Sequence, residues 1–226
     1  LAVRTTSKGE TVAQEIRAEN PNAKLHVMAL NLADLASITA FAEAFKAQFN
    51  RLDVLMNNAG VMATPQAKTA DGFELQFGTN HLGHFALTGQ LLDILRDTPN
   101  SRIVNVSSIA AENGKMHFDD IMFEQEYRRF DVYSQSKLAN LLFTLGLQRR
   151  LSEMDTDTIA VAAHPGVANT ELSRGMFGDN ILQSAAKWIS SFFIATADNG
   201  AQSQLRASVD PDVQGGEYYG PRNSSK

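Results

Sequence analysis

Apolar positions along this chain recur with two alternating periods. Residues 7–20 place Val12, Ala13 and Ile16 on one side of a helical wheel and stop at Asn20-Pro21, the pattern of an amphipathic helix ended ahead of a proline. A strand end at residues 1–4 precedes it, and an apolar strand at residues 24–32 follows. Over residues 37–50, Ile38, Phe41, Ala42, Phe45 and Phe49 return at helical spacing, a stripe that faces a core. Residues 52–57 form a short apolar run cut by Asn57-Asn58-Ala59-Gly60, as expected of a strand buried on both faces and ended by a turn. Beyond a loop holding Pro65, Asp71 stands three residues before Glu74. That spacing predicts an N-cap at Asp71 and a helix carrying Asn80, His81 and His84 towards Leu95. Residues 102–106 read as the next buried strand, closing on Ser107-Ser108, and residues 109–130 are irregular and polar. A helix over residues 133–153, an apolar strand over 159–163 broken by His164-Pro165-Gly166, helices over 181–195 and 200–209, and a short strand over 217–219 complete the chain.

Short apolar strands therefore alternate with longer helices, and neither an internal repeat nor a shift in composition marks a second domain. The expected architecture is α/β, a doubly wound parallel sheet of Rossmann type in one domain over residues 1–226. In such sheets ligands bind beyond the carboxyl ends of the strands. Arg4, residues 58–60, Ser108 and residues 165–170 each lie at or just after such an end.

Composition narrows the picture by exclusion. With 43% hydrophobic and 20% charged residues over 226 positions, the chain can bury one sizeable core and has no need of disorder. The net charge of −5 and the absence of a basic block beyond Arg128-Arg129 and Arg149-Arg150 give no footing for nucleic-acid binding. Zero cysteines exclude disulfides, thiolate chemistry and Cys-ligated metal, and suit a reducing, cytoplasmic setting. No apolar run approaches the ~18 residues of a membrane span. The chain opens at Leu1 with neither a methionine nor a signal peptide.

Chemistry enters at Tyr133 and Lys137, four residues apart and so on one face of their helix. A tyrosine ordinarily titrates near ~10, and an ammonium within a turn favours its phenolate and lowers that value. Taken alone, the spacing is better read as an amphipathic helix with one aromatic and one solvated charge. Its surroundings separate the two readings. Asn57-Asn58-Ala59-Gly60, Asn80 within Thr79-Asn80-His81-Leu82-Gly83-His84-Phe85, Ser108 closing residues 102–108, Tyr133 with Lys137, and His164-Pro165-Gly166-Val167-Ala168-Asn169-Thr170 occur in this order over nearly the whole chain. Together they resemble the short-chain dehydrogenase/reductase family. The Asn-His-Leu-Gly-His-Phe wording and the step from Ser108 to Tyr133 are most similar to its retinol-dehydrogenase-like branch.

That resemblance implies hydride transfer between a nicotinamide cofactor and a small-molecule carbonyl or alcohol, as in a carbonyl reductase. Tyr133 would give or take the substrate proton. Lys137 would lower the Tyr133 pKa and hold the nicotinamide ribose. Ser108 rather than Ser107 would hold the substrate oxygen, leaving Ser107 to cap the turn after its strand. Asn80 would sit where a helix opens to hold a water linking Lys137 to solvent. Asn58, Ala59 and Gly60 would lie along the adenosine half of the cofactor, where glycine admits close approach. Asn31 and Leu32 would meet the adenine, with Asn31 replacing the acid usual in the family while keeping an acceptor oxygen. Pro165, Gly166, Val167 and Thr170 would meet the nicotinamide, Thr170 at its carboxamide. Arg4, followed by Thr5, Thr6, Ser7 and Lys8 with no acid between Leu1 and Gly9, selects NADP over NAD, because arginine accommodates the extra phosphate.

The family's glycine-rich turn, Thr-Gly-x-x-x-Gly-x-Gly, is absent from residues 1–226. The expectation is that a first strand and this turn belong centrally, between the strand ending at Arg4 and the one ending at Asn57, and precede Leu1. A different arrangement filling that place, or an inactive product, are the alternatives. His81 and His84 stand three apart, but no third ligand follows at a known spacing, so no metal is expected. Asp119-Asp120 reads as a loop pair. Trp188, Phe192, Phe193 and Ile194 read equally as core, substrate wall or subunit contact, which leaves a homo-oligomer open. The rival functions are reduction of a conjugated double bond on a large ring and a catalytically silent dinucleotide sensor or scaffold.

Overall fold

The computed structural model describes residues 1–166 and 197–221. Among them the chain runs β1 (Ala2–Val3), α1 (Thr6–Glu19), β2 (Met28–Ala29), α2 (Leu35–Gln48), β3 (Val54–Asn57) and a single turn α3 (Leu75–Phe77). A π-helical turn (Gly78–Leu82), α4 (Gly83–Arg96), β4 (Arg102–Val106) and two 3-10 turns (Ile109–Asn113, Phe118–Asp120) follow. Helix α5 (Arg129–Leu151), β5 (Ile159–Ala163), α6 (Ala197–Val209) and β6 (Tyr218–Tyr219) complete it.

All paired strands are parallel, in a two-stranded sheet β1-β2 and a four-stranded sheet β3-β4-β5-β6. This is the Rossmann-like α/β fold that the alternation predicts. No strand pairing joins the two sheets among the described residues. The helices arise as the apolar stripes require. Helix α2 buries Ile38, Phe41 and Ala42 and is capped by Asp34, whose Oδ1 accepts from Ala36 N at 2.9 Å and Ser37 N at 3.3 Å.

One core cluster joins the exit of β2 (Leu30, Leu32) and α2 to Leu55 of β3, Leu91 and Leu95 of α4, and Ile103 of β4. The opposite face of the larger sheet packs Val104, Val161 and Ala163 against Ala207 of α6. Ile103 and Val104 thus face opposite sides, as the two-residue period of a strand dictates, and the sheet is covered on both.

Two expectations are corrected. Asp71 does not cap the helix that leads to Asn80. Glu74 does, accepting from Gln76 N at 2.9 Å and Phe77 N at 2.6 Å, while Asp71 Oδ2 accepts from Leu35 N at 3.0 Å and serves α2 instead. The reason is the tight turn at Gly72, whose φ of 86° returns the chain against residue 69 before any helix begins. Helix α5 also starts one turn before Tyr133, with Asp131 in its first turn, so the tyrosine is held within the helix rather than at its end. The helix expected over residues 181–195, with Trp188, Phe192, Phe193 and Ile194, lies outside the described residues.

Candidate active site

Strand β4 and helix α5 deliver most of the site. Tyr133 and Lys137 leave the buried side of α5, 6% and 4% exposed. Lys137 Nζ donates to Val106 O at the end of β4, at 3.1 Å, and lies 5.8 Å from the centroid of the Tyr133 ring. Ser107 and Ser108 follow Val106 and divide two tasks. Ser107 donates to the Lys137 carbonyl at 2.7 Å and ties the strand to the helix. Ser108 caps the following 3-10 turn, accepting from Ala110 N at 3.2 Å, and its hydroxyl opposes the effect of burial on the Tyr133 phenol. The capping role expected of Ser107 therefore falls to Ser108.

Asn80 sits fully buried in the π-helical turn, the wider turn being closed by Gly83 N donating to Gly78 O. Its side chain reaches across the site. Oδ1 accepts from Val61 N at 2.7 Å, and Nδ2 donates to Val61 O at 2.9 Å and to Ser136 Oγ at 3.0 Å. Asn80 thereby draws the turn after β3 onto α5. A Cβ on Gly60 in that turn would stand 3.0 Å from Asn80 Oδ1 and 3.5 Å from Lys137 Nζ. A bare glycine leaves the lysine approachable from the strand ends, where a dinucleotide would lie, so these residues fit such a group.

The remaining cofactor positions are placed unevenly. Arg4, Asn58 and Ala59 are exposed, Arg4 directly after β1 and ahead of a first α1 turn that carries no acid. Asn31 is half-buried and closes its own turn, Oδ1 accepting from Ala33 N at 3.2 Å. Leu32 departs from expectation: it is 9% exposed and its side chain joins the core cluster rather than the strand-end surface. Pro165 and Gly166 follow β5 half-buried, and Gly166 adopts φ 72°. Val167 and Thr170 lie outside the described residues.

Burial governs the ionisation of the pair. It holds the Tyr133 phenol above its ordinary value, opposed by the Ser108 hydrogen bond, and it pushes the Lys137 ammonium down to about 8. For Tyr133 this is opposite to the direction that its spacing from Lys137 predicts. Loss of water raises the phenol, and what opposes it is the Ser108 hydroxyl rather than the Lys137 charge. Burial likewise depresses His81, and takes His84 to about 4 with help from the nearby Lys137 charge. Both imidazoles are engaged: His84 Nδ1 lies 2.9 Å from Asn80 O, and His81 Nδ1 lies 3.1 Å from Asn140 Oδ1. Each faces an oxygen acceptor, so each neutral ring carries its proton on Nδ1.

Beneath this centre lie Thr88, Asn105 and Thr144, which do not stand out in the sequence. Asn57 Nδ2 donates to Asn105 Oδ1 at 2.8 Å and to Thr88 Oγ1 at 2.9 Å, and Asn105 Nδ2 donates to Thr144 Oγ1 at 2.9 Å. This polar rung crosses β3, β4 and α5 beneath the site. Its visible trace is an asparagine closing β3 and another within β4. Tyr218 of β6 donates to Ser108 O at 3.3 Å.

A parallel α/β sheet whose strand ends gather a buried Tyr-Lys pair, a serine and an asparagine beside a glycine turn has the build of a nicotinamide-dependent oxidoreductase acting on alcohols and carbonyls. Known proteins point the same way. Residues 1–180 match the short chain dehydrogenase family. Retinol dehydrogenase 12 of Mus musculus is 44% identical over 97% of this chain and 68% of its own length. Retinol dehydrogenase 11 of Homo sapiens is 46% identical over 95% and 65%. The chain thus spans about two thirds of the length of these relatives. A crystal structure of an uncharacterized protein from Mycobacterium paratuberculosis superposes with a TM-score of 0.78 at 41% identity, over 99% of this chain and 70% of that one. The chain belongs to the short-chain dehydrogenase family, in its retinol-dehydrogenase-like branch.

Proposed function

We propose that this chain is an NADP-dependent oxidoreductase that interconverts a carbonyl and an alcohol, with Tyr133 as the acid/base. The observation that carries this is a buried Tyr133 standing beside the buried Lys137, whose Nζ lies 5.8 Å from the centroid of the tyrosine ring. The bound nicotinamide supplies or accepts the hydride. Because burial keeps Tyr133 protonated, its hydroxyl is ready to donate to a carbonyl oxygen in the reductive direction, and it takes a hydroxyl proton back in the oxidative one. Ser108, just beyond the end of β4, offers its own hydroxyl to that same oxygen. Lys137, held by Val106 O, keeps a cation beside the reacting proton and offers a donor to the cofactor ribose. Gly60 keeps the approach to Lys137 open. Exposed Arg4, ahead of an α1 turn without acids, supports NADP over NAD. The relatives' names direct the first substrate tests to retinol and its aldehyde.

The test is a screen of retinaldehyde, simpler aldehydes, ketones and cyclic enones with NADPH and NADH, followed at the nicotinamide absorbance. Carbonyl reduction preferring NADPH is the expected result. Equal use of NADH would overturn the cofactor assignment, turnover of enones alone would indicate a double-bond reductase, and binding without turnover would indicate a sensor. Tyr133→Phe should lower turnover by at least ~100-fold while NADPH still raises the melting temperature. An active Phe variant would refute the mechanism.

A further inference from the structure

We propose that Asn140 is a positioning residue for the Tyr133–Lys137 pair, its amide tying the carbonyl on which Lys137 is anchored to the turn that carries Asn80. The inference rests on the function proposed above and adds a residue to it. Asn140 stands three positions after Lys137 on α5, hence on the same side of the helix, and is 3% exposed. Its Nδ2 donates to Val106 O at 3.3 Å and to Asn80 O at 3.1 Å. Lys137 Nζ donates to that same Val106 O at 3.1 Å. Both amide protons of Asn140 are thus spent on two carbonyls from different elements, the end of β4 and the π-helical turn.

The third contact orients the amide. Asn140 Oδ1 faces His81 Nδ1 at 3.1 Å. Rotating the amide by half a turn would set Oδ1 against two carbonyl oxygens and Nδ2 against the imidazole N–H, so one orientation alone satisfies all three partners. His84 adds a second donor to Asn80 O at 2.9 Å. Strand, opened turn and α5 are therefore cross-linked at the point where the lysine is held. Removing the amide leaves Val106 O with Lys137 but uncouples both from Asn80, and the vacated volume beside the ammonium admits water. The titratable groups around Lys137 are Tyr133 on its own helix, His84 on α4 and, one contact further, His81 in the π-helical turn.

A residue that only filled space here would affect stability and nothing else, and this sets the experiment. Asn140→Ala, Asn140→Ser, which retains one donor, and a control, Thr144→Val, are compared with wild type in the full chain. Thr144 is equally buried one turn further on, accepts from Asn105 and donates to Asn140 O, and does not touch Lys137. Denaturation gives stability. The Cε resonance of Lys137 in 13C-lysine-labelled protein, assigned by its loss in Lys137→Met, gives the ammonium titration without cofactor. NADPH affinity and the pH profile of kcat/KM complete the set.

For Asn140→Ala the Lys137 midpoint should rise by at least about half a pH unit as water reaches it. NADPH affinity and kcat/KM should fall roughly tenfold, with the pH profile displaced in the same direction. Asn140→Ser should fall between, and Thr144→Val should lose stability with an unmoved midpoint. An unchanged midpoint in Asn140→Ala, or an equal displacement in Thr144→Val, overturns the proposal. If Asn140→Ala does not fold, Asn140→Ser carries the same decision. Absent turnover or NADPH binding in wild type would refute the proposed function, while the Lys137 titration would still decide the role of Asn140.

Discussion

Replacing Lys137 by methionine should stabilise the cofactor-free protein near neutral pH, and the gain should fade as the pH rises. Lys137 is 4% exposed and burial lowers its pKa from 10.5 to about 8. That displacement is equivalent to about 3 kcal/mol at ~1.4 kcal/mol per unit. The sign follows from proton counting. Between about pH 8 and 10.5 the unfolded chain binds more protons at this site than the folded one, so folding stability rises with pH across that window. Below pH 8 the ammonium is charged in both states and the folded protein bears the full cost of burying it. Methionine carries no charge, fills similar volume and leaves Val106 O its bond from Asn140. Part of the gain is lost with the lysine hydrogen bond, on the order of 1 kcal/mol, leaving a net of about 2 kcal/mol at pH 7. Urea denaturation of both proteins at pH 7 and pH 9.5 measures it. The difference between them should shrink by about 2 kcal/mol over that interval. A gap that does not change with pH, or a methionine variant less stable at pH 7, would show that the buried ammonium costs the fold nothing.

Further consequences can be measured on the same protein. Gly60→Ala places a Cβ 3.0 Å from Asn80 Oδ1 and 3.5 Å from Lys137 Nζ; cofactor affinity by thermal shift should fall roughly tenfold, and unchanged affinity would remove Gly60 from the cofactor path. Leu95→Ala empties a fully buried position of the main core cluster and should cost about 2–5 kcal/mol in urea denaturation, a loss under ~1 kcal/mol showing that the surrounding helices collapse into the space.

Legibility in the sequence tracked how local the cause was. Strands β4 and β5 fall where the apolar runs place them, because both faces of each are covered and every residue after the first is buried. The strand expected over residues 24–32 shrinks to Met28–Ala29, since pairing depends on a neighbour and β1 offers only two residues. The Asp71 cap failed because the Gly72 turn intervenes before the helix and a donor distant in sequence, Leu35 N, takes the carboxylate. Tyr133, Lys137, Ser108 and Asn80 could be picked out because their order along the chain is informative. Asn140 could not, because an asparagine in mid-helix carries no mark of whether it faces water or two carbonyls. The direction of the Tyr133 shift was hidden likewise, for spacing reveals the neighbouring charge and not the loss of solvent.

Gly83 opens α4 against the exit of β2, so closely that a Cβ there would stand 2.4 Å from the Leu32 carbonyl oxygen. The loop carrying Asn31 and the turn carrying Asn80 are therefore moulded to one another through bare backbone. For anyone recoding cofactor choice by transplanting the loop at residues 30–34 from a relative, the piece to move is larger than the loop. Residues 78–84 must come from the same donor, since a loop of different shape would transmit its mismatch to Asn80.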